Sequence, residues 1–383
     1  MQVLRHPYFF LFFSVFIFLY TLVNGYIFVH GWNMAEEFWI QRGIFTLFFL
    51  CFSFAYIVGE MIQHRRSSLV SDFLITFGSL WFVGVVHFFF IIIVYDIFLG
   101  INHSLSWLSK EEINTISYHL TYFTVLGTIM TIALGYINSR NPKIRKYQLK
   151  IKKKNKVTRS LKIAVATDIH LGPTNGVSHI KRIVKKINAL KPDLILLPGD
   201  IVDGELDPVI RRDLGSYIRR FQSTYGVFGI TGNHEYIGGM DRAVKYLTAH
   251  NIVLLQDDWL EIGWVVIVGR DDISASRFGR HRAELSELLQ EVDKKKTLIL
   301  LDHQPKKLSE AQKNGIDIQF SGHTHNGQLW PLNLIVKRLF ELPAGYKKKW
   351  HTHIFVSPGV GTWWPPVRTN ARPDILFVTV DFQ

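Results

Sequence analysis

The sequence predicts two architectures in series: a four-helix transmembrane region over residues 1–140, then an α/β layered domain over residues 161–383. Three observations predict it. The first third holds four long apolar runs with almost no polar face. From Leu161 the pattern changes to short apolar runs that alternate with amphipathic stretches. The formal charge of +13 is also uneven. Residues 1–140 carry −1, residues 141–160 carry +9 without one acidic side chain, and residues 161–383 carry +5.

The four apolar runs are Tyr8–Val29, Gly43–Ile62, Phe73–Leu99 and Ile116–Ile137. Each meets the roughly 20 helical residues needed to cross a hydrocarbon core of about 30 Å. The first is too long for a signal peptide, lacks a small-residue cleavage site and is followed by three more spans, so it reads as a retained helix. Arg5, Arg65, Arg66, Arg140, Lys143, Arg145 and Lys146 flank one side; Glu36, Glu37, Arg42, Lys110, Glu111 and Glu112 flank the other. The positive-inside rule then predicts an integral membrane protein of four spans, with both termini and everything after residue 140 in the cytoplasm. His87, Asp96 and His119 fall within or at the ends of spans three and four, where interhelical hydrogen bonding or a position near the headgroups is the expected role.

Composition narrows the class. With 48% hydrophobic and 20% charged residues, the chain is neither disordered nor an ordinary soluble enzyme. The single cysteine, Cys51, lies in an apolar run, so neither an intrachain disulfide nor a cysteine-rich metal site is available. A DNA-coating protein would spread its cations over a broad face rather than one short tract, so nucleic acid is not an expected partner. In the tract 141–160, Tyr147, Leu149 and Ile151 alternate with Gln148, Lys150 and Lys152, the period of a strand. It reads as an edge strand of the following domain and as a basic linker suited to anionic headgroups.

In the second part, Leu161–Ala166, Leu194–Leu197, Val227–Thr231, Val265–Val268, Leu298–Leu301, Ile318–Phe320, Ile354–Val356 and Ile375–Val380 read as buried strands. Helices are expected near 177–190, 207–221, 240–250, 281–290 and 305–314, giving a layered α/β domain.

Five strand ends carry the chemistry. They deliver Asp168-Ile169-His170; Gly199-Asp200, with Asp203 beyond; Gly232-Asn233-His234-Glu235; Asp302-His303; and Gly322-His323-Thr324-His325. Ligands in open α/β sheets bind outside the carboxyl ends of strands, so these groups are expected to converge. Asp168/His170 and His323/His325 are i, i+2 pairs, which share one face of an extended segment. Two ions account for so large a set better than one, and mixed nitrogen and oxygen donors suit Mn, Fe, Zn, Co or Ni rather than Ca or Mg.

Taken together, Asp168-x-His170, Gly199-Asp200, Gly232-Asn233-His234-Glu235, His303 and Gly322-His323-x-His325 resemble the calcineurin-like metallophosphoesterase superfamily. Ser321–Gln328 and Val356-Ser357-Pro358-Gly359-Val360-Gly361 are similar to its membrane-associated bacterial branch, some of whose members cleave the pyrophosphate of a UDP-diacylglucosamine lipid precursor. The resemblance implies a four-layer α/β/β/α sandwich with two divalent metal ions. It implies that Asp168, His170 and His325 bind one ion, that Asn233, His303 and His323 bind the other, and that Asp200 bridges. His234 would serve the transition state or protonate the leaving oxygen, with Asp203 and Glu235 supporting from behind. The reaction implied is in-line attack of an activated water on a phosphoester or phosphoanhydride.

The expected function is therefore a membrane-anchored phosphoesterase. The competing readings are a receptor or scaffold that binds metal without turnover, and a tethered nuclease. The segment Leu329–Trp350 interleaves Trp330, Leu332, Leu334, Ile335, Val336, Leu339, Phe340, Tyr346 and Trp350 with five cations. That mixture suits a headgroup boundary and points to the bilayer as partner and a lipid phosphoester as substrate, against the alternative of a loop folded onto the core. Trp363-Trp364-Pro365-Pro366 forms a second aromatic cluster.

Overall fold

The structure is a computed structural model that describes residues 7–35, 41–152 and 160–382. Arg5, Glu36, Glu37 and residues 153–159 of the basic tract lie outside them. The chain divides into two compact units, Met1–Gly135 and Tyr136–Gln383.

The first unit is built on helices α1 (Pro7–Ala35), α2 (Arg42–Arg65), α3 (Leu69–Leu105) and α4 (Lys110–Ser139), the last turn of α4 belonging with the second unit. All four are long and apolar enough to cross a membrane. Their outer faces show Phe, Leu and Val to the surroundings, as lipid-facing helices do. Inside, polar groups pair across helices. Asn24 Oδ1 accepts from Ser53 Oγ (3.2 Å) and from Trp81 Nε1 (2.8 Å), linking three helices. Gly78 lies so close to the Tyr56 backbone that a side chain there would collide with it, so α2 and α3 meet along a small-residue seam. Asp96 accepts from Tyr26 Oη (2.5 Å) and sits 3.2 Å from His30 Nε2; His87 Nδ1 lies 3.3 Å from Thr128 Oγ1. Both are helix-to-helix contacts.

The second unit has twelve described strands: β1 (Lys143–Ile151), β2 (Ser160–Val165), β3 (Leu194–Pro198), β4 (Val227–Ile230), β5 (Val253–Leu254), β6 (Asp258–Ile262), β7 (Val265–Gly269), β8 (Thr297–Leu301), β9 (Ile318–Ser321), β10 (Gly345–Lys349), β11 (Thr352–Val356) and β12 (Asp374–Phe382). They form two six-stranded sheets, ordered β1-β12-β2-β3-β4-β5 and β10-β11-β9-β8-β7-β6. Leu149, Ile163, Leu196 and Ile230 of the first sheet pack against Ile267, Ile299, Phe320 and Phe355 of the second. Helix α5 (Val177–Ala189) and the 206–221 segment cover the outer face of the first sheet; Leu285, Leu289, Val292 and Ala311 cover that of the second. The result is a four-layer α/β/β/α sandwich.

Strand β1 runs parallel to β12 at the edge of the first sheet. Its alternation, exposed at Lys150 and buried at Leu149 and Ile151, is the period-2 signature of a half-covered strand. Strands β2, β3 and β4 are mutually parallel, as are β7, β8 and β9. Their carboxyl ends therefore gather at one end of the sandwich. Three expected helices are shorter than their patterns suggest, 305–314 contracting to Ser309–Lys313. Residues 207–221 break into Asp207–Arg211 and Gly215–Ile218, with Asp213 between them in the left-handed region (φ 47°), and 281–290 contracts to Leu285–Leu288.

Candidate metal centre

The loops leaving β2, β3, β4, β8 and β9 bring together the strand-end residues. Asp168, His170 and His325 have ligand atoms within 4.8 Å of one another, and so do Asp200, His303 and His323. Asp200 lies between the groups: its Oδ2 is 3.7 Å from His170 Nε2 and 3.1 Å from His303 Nε2. Asp168 Oδ1 is 3.3 Å from His325 Nε2, which is itself 3.1 Å from His170 Nε2. Asn233 joins the second group through its amide oxygen, 2.8 Å from His323 Nδ1. Asp168, His170, Asp200, His303 and His325 are buried.

Local backbone geometry serves this convergence. Asp168, His170, Asp200, His323 and His325 all have positive φ, between 46° and 69°. Side-chain-bearing residues rarely adopt that region, and they cluster there at functional sites where surrounding structure compensates. The compensation is visible. Asp168 Oδ1 accepts the backbone N–H of His323 (2.9 Å), and Asp200 Oδ1 accepts that of His234 (2.9 Å), so each carboxylate clamps the next loop. Gly199 (φ 88°) passes against the His303 imidazole, where a Cβ would come within 2.6 Å of Nδ1, and Gly322 abuts the Asp168 carboxylate.

The donor set fits divalent metal ions. His303 Nδ1 donates to the Pro198 carbonyl (2.8 Å), which leaves Nε2 carrying the lone pair. That Nε2 is buried and, despite its proximity to Asp200, has no hydrogen bond in acceptable geometry. His170 is held likewise, Nδ1 on Asp203 Oδ1 (3.1 Å) and Nε2 facing the site. An imidazole fixed on one nitrogen by an oxygen acceptor, its other nitrogen turned toward a cluster of further donors, is the arrangement of a metal-ligating histidine.

His234 stands beside this set. Its Nδ1 is 3.0 Å from Asp203 Oδ1, its ring meets His170 edge-on at 4.6 Å, and it keeps some solvent exposure. Burial opposes its cation, but Asp200 and Asp203 raise it to about 9. Burial would raise Asp203, yet His170 and His234 hold it below the usual carboxylate range. Burial also works against Asp200, and the neighbouring His303 and His234 keep it well down. Glu235 acts elsewhere than on His234: it accepts the backbone N–H groups of Asp200 (3.1 Å), Val202 (2.8 Å) and Gly232 (2.7 Å), tying the β3 and β4 loops together. Asp203 is the carboxylate that orients His234.

The sequence did not single out Arg368. It is fully buried, and its Nη2 contacts His325 Nδ1 (2.9 Å) and the carbonyls of Pro358 (2.6 Å) and Gly361 (2.5 Å). The one signal available was a lone arginine following a Trp-Trp-Pro-Pro cluster. Thr167 was also passed over; its Oγ1 donates to Asp168 Oδ2 (2.8 Å). Two aromatics edge the centre: Phe340 meets the His323 ring at 6.0 Å, and Trp363 meets the His234 ring at 6.4 Å.

The calcineurin-like phosphoesterase profile matches residues 161–327, which contain every strand-end motif described above. An uncharacterised metallophosphoesterase of Aquifex aeolicus is 35% identical over 252 residues, covering 65% of this chain and 95% of that relative. The chain belongs to the calcineurin-like phosphoesterase family. An uncharacterised metallophosphoesterase of Campylobacter jejuni is 28% identical over 380 residues, 96% of this chain and 98% of its own, so that match extends through the apolar helices. A Danio rerio protein described as a transmembrane protein with a metallophosphoesterase domain is 28% identical over 286 residues, 71% of this chain and 65% of its own. Family members use divalent metal ions, and the clusters above are where this chain can hold them.

Proposed function

We propose that the protein is a membrane-bound, two-metal hydrolase that cleaves a phosphoester or phosphoanhydride bond of a lipid presented at the cytoplasmic face of the bilayer. One ion is assigned to Asp168, His170 and His325, the other to Asn233, His303 and His323. The position of Asp200 between His170 and His303 supports its bridging role. Two divalent ions held there would neutralise charge on the phosphoryl oxygens and acidify a water. His234 has Nδ1 engaged by Asp203, so Nε2 is the nitrogen left to protonate the leaving oxygen.

The observation that carries the lipid reading is the aromatic edge of the centre. Phe340 sits against His323 and closes a helix, Leu332–Leu339, whose Leu334, Ile335 and Leu339 are 53%, 56% and 71% exposed. Lys337 and Arg338 lie among them, Lys348 follows on β10, and Glu341, the one acidic residue of the 329–350 segment, pairs with Lys347 and Lys349. An apolar face rimmed by cations and joined to the reacting centre suits an anionic lipid whose chains stay in the bilayer.

The test uses the full chain in nanodiscs. Replacing Leu334, Ile335 and Leu339 together by Ser should lower turnover of a lipid phosphoester at least about tenfold, while hydrolysis of a small soluble aryl phosphoester is unchanged. Equal turnover of the lipid by both proteins would refute the lipid reading. Failure of the wild type to hydrolyse either substrate with manganese present would favour the metal-binding scaffold.

A further inference from the structure

Beside the metal centre, three segments of the catalytic unit meet through hydrogen bonds. Arg140 donates from Nη2 to the Thr174 carbonyl (2.7 Å) and from Nη1 to Asn175 Oδ1 (3.4 Å). Asn175 Nδ2 donates to the Thr362 carbonyl (2.6 Å). Asn138 Nδ2 donates to the carbonyl of Arg368 (2.8 Å). Residues 136–141, 172–187 and 358–372 together carry seven Lys and Arg side chains and no Asp or Glu.

The charge there is unbalanced at depth. Arg368 is fully buried and contacts two backbone carbonyls and an imidazole; the carboxylates of Asp168 and Asp374 act on its charge without a direct hydrogen bond. No carboxylate among the described residues forms an ion pair with Arg140 or Arg182. Arg140 Nε, Arg182 Nη1, Arg368 Nη1, Thr174 Oγ1 and His179 Nε2 are all buried without a hydrogen-bond partner. His179 and Arg182 are i, i+3 neighbours on α5, one turn from its N-terminus at Gly176, which no side chain caps. That terminus adds the positive end of a helix dipole to the cluster. Burial, together with Arg140, Arg182 and Arg368, holds the His179 imidazole well below its usual range.

Arg140 and Arg182 are half-buried without an ion pair beside the buried Arg368, a costly grouping of like charges, and the unmet donors compound the cost. A single tetrahedral oxyanion would answer both, because it offers several acceptor oxygens and the negative charge that the three segments lack. Arginine is the side chain best shaped to take it. We propose that Arg140, Arg182 and Arg368, with Thr174, Asn175 and His179, form a binding site for a phosphate-class anion, distinct from the metal centre but joined to it through the Arg368–His325 contact. The site does not depend on which bond the metal centre cleaves. Its ligand is either free phosphate or the phosphate of an anionic lipid headgroup.

The experiment measures thermal unfolding of the full chain after metal removal with EDTA, so that phosphate cannot act through metal ions. One arm adds inorganic phosphate in detergent. The other compares nanodiscs of phosphatidylcholine with nanodiscs containing phosphatidic acid. The wild type should gain several degrees in at least one arm, and the responding arm identifies the source. In the Arg140→Gln/Arg182→Gln variant the apparent affinity should fall at least about tenfold. That variant should stay folded and unfold within a few degrees of the wild type in phosphatidylcholine nanodiscs without added phosphate, since it loses repelling charges along with the Arg140 hydrogen bonds, and Arg182→Lys should keep most of the response. No wild-type response in either arm, or an equal response of the double variant, would overturn the proposal.

Discussion

Asp203 holds His234 by the same oxygen with which it holds His170: Oδ1 is 3.0 Å from Nδ1 of the first ring and 3.1 Å from Nδ1 of the second. One carboxylate therefore orients an imidazole of the metal cluster and the partly exposed imidazole beside it, the one proposed to protonate the leaving oxygen. Asp203→Asn keeps one acceptor oxygen but loses the charge, so both rings are held more weakly. Turnover should drop about 10–100-fold, the usual cost of losing a partner behind a ligand. Metal content, measured by mass spectrometry, should fall less than with any ligand substitution. His234→Gln should retain its metal and lose most of kcat; loss of metal instead would make His234 a ligand.

Asp200 tests the metal stoichiometry. Among the described residues it is the one carboxylate that forms a close pair with both His170 and His303, and its Oδ1 also fixes the His234 backbone. Asp200→Asn should leave fewer than two ions per chain and reduce turnover by more than about 100-fold, beyond the effect of an outer partner. Full metal loading with near-normal activity would contradict a bridging carboxylate.

The strand-end motifs were legible because the chemistry of this centre is local in sequence: a buried strand, then a short turn, then Asp, His or Asn. The sheets were legible where strands are fully buried runs, as at Leu194–Pro198 and Thr297–Leu301. Strands β6 and β10 escaped because Asp-Trp-Leu-Glu-Ile and Gly-Tyr-Lys-Lys-Lys are edge strands with neither a buried run nor clean alternation. The 207–221 helix read as continuous because nothing in Arg212-Asp213-Leu214 announces the turn that tertiary packing imposes. Arg368, and the backbone-clamping role of Glu235, were beyond the sequence for one reason: each acts on backbone or side chains that only the folded loops bring near. The mixed apolar and basic character of Leu329–Trp350 was readable, but whether it faced the core or the surroundings required the packed structure.

Asp374, which is not among the metal-ligand candidates, gives a pH prediction. Burial raises its pKa to about 6, against the opposing pull of a hydrogen bond from Ser357 Oγ (2.6 Å) and the Arg145 guanidinium (2.7 Å). A folded pKa above the unfolded value of about 3.8 means that the folded state binds this proton more tightly. Its contribution to stability is complete below about 4 and is lost as pH rises through about 6. The difference is on the order of 3 kcal/mol. Asp374→Asn cannot titrate, so a pH series of unfolding midpoints should fall between pH 4 and 6 more steeply for the wild type than for the variant. Parallel curves would mean that Asp374 is ionised at the same pH in both states.

Charge at the helix ends predicts the orientation of the second unit. Arg65 and Arg66 end α2, and Arg140, Lys143, Arg145 and Lys146 follow α4, whereas the opposite ends offer only Arg42 and Lys110. Basic residues are retained on the cytoplasmic side, so the expected place of the metal centre is the cytoplasm. Two measurements check this. A fluorescent reporter fused after Gln383, of a kind that matures only in the cytoplasm, should be bright. In a Cys51→Ser background, Ser109→Cys should react with a membrane-impermeant maleimide added to intact cells, and a cysteine in place of Lys143 should react only after lysis. The reverse labelling pattern would put the centre outside the cell and would remove inner-leaflet lipids from its substrates.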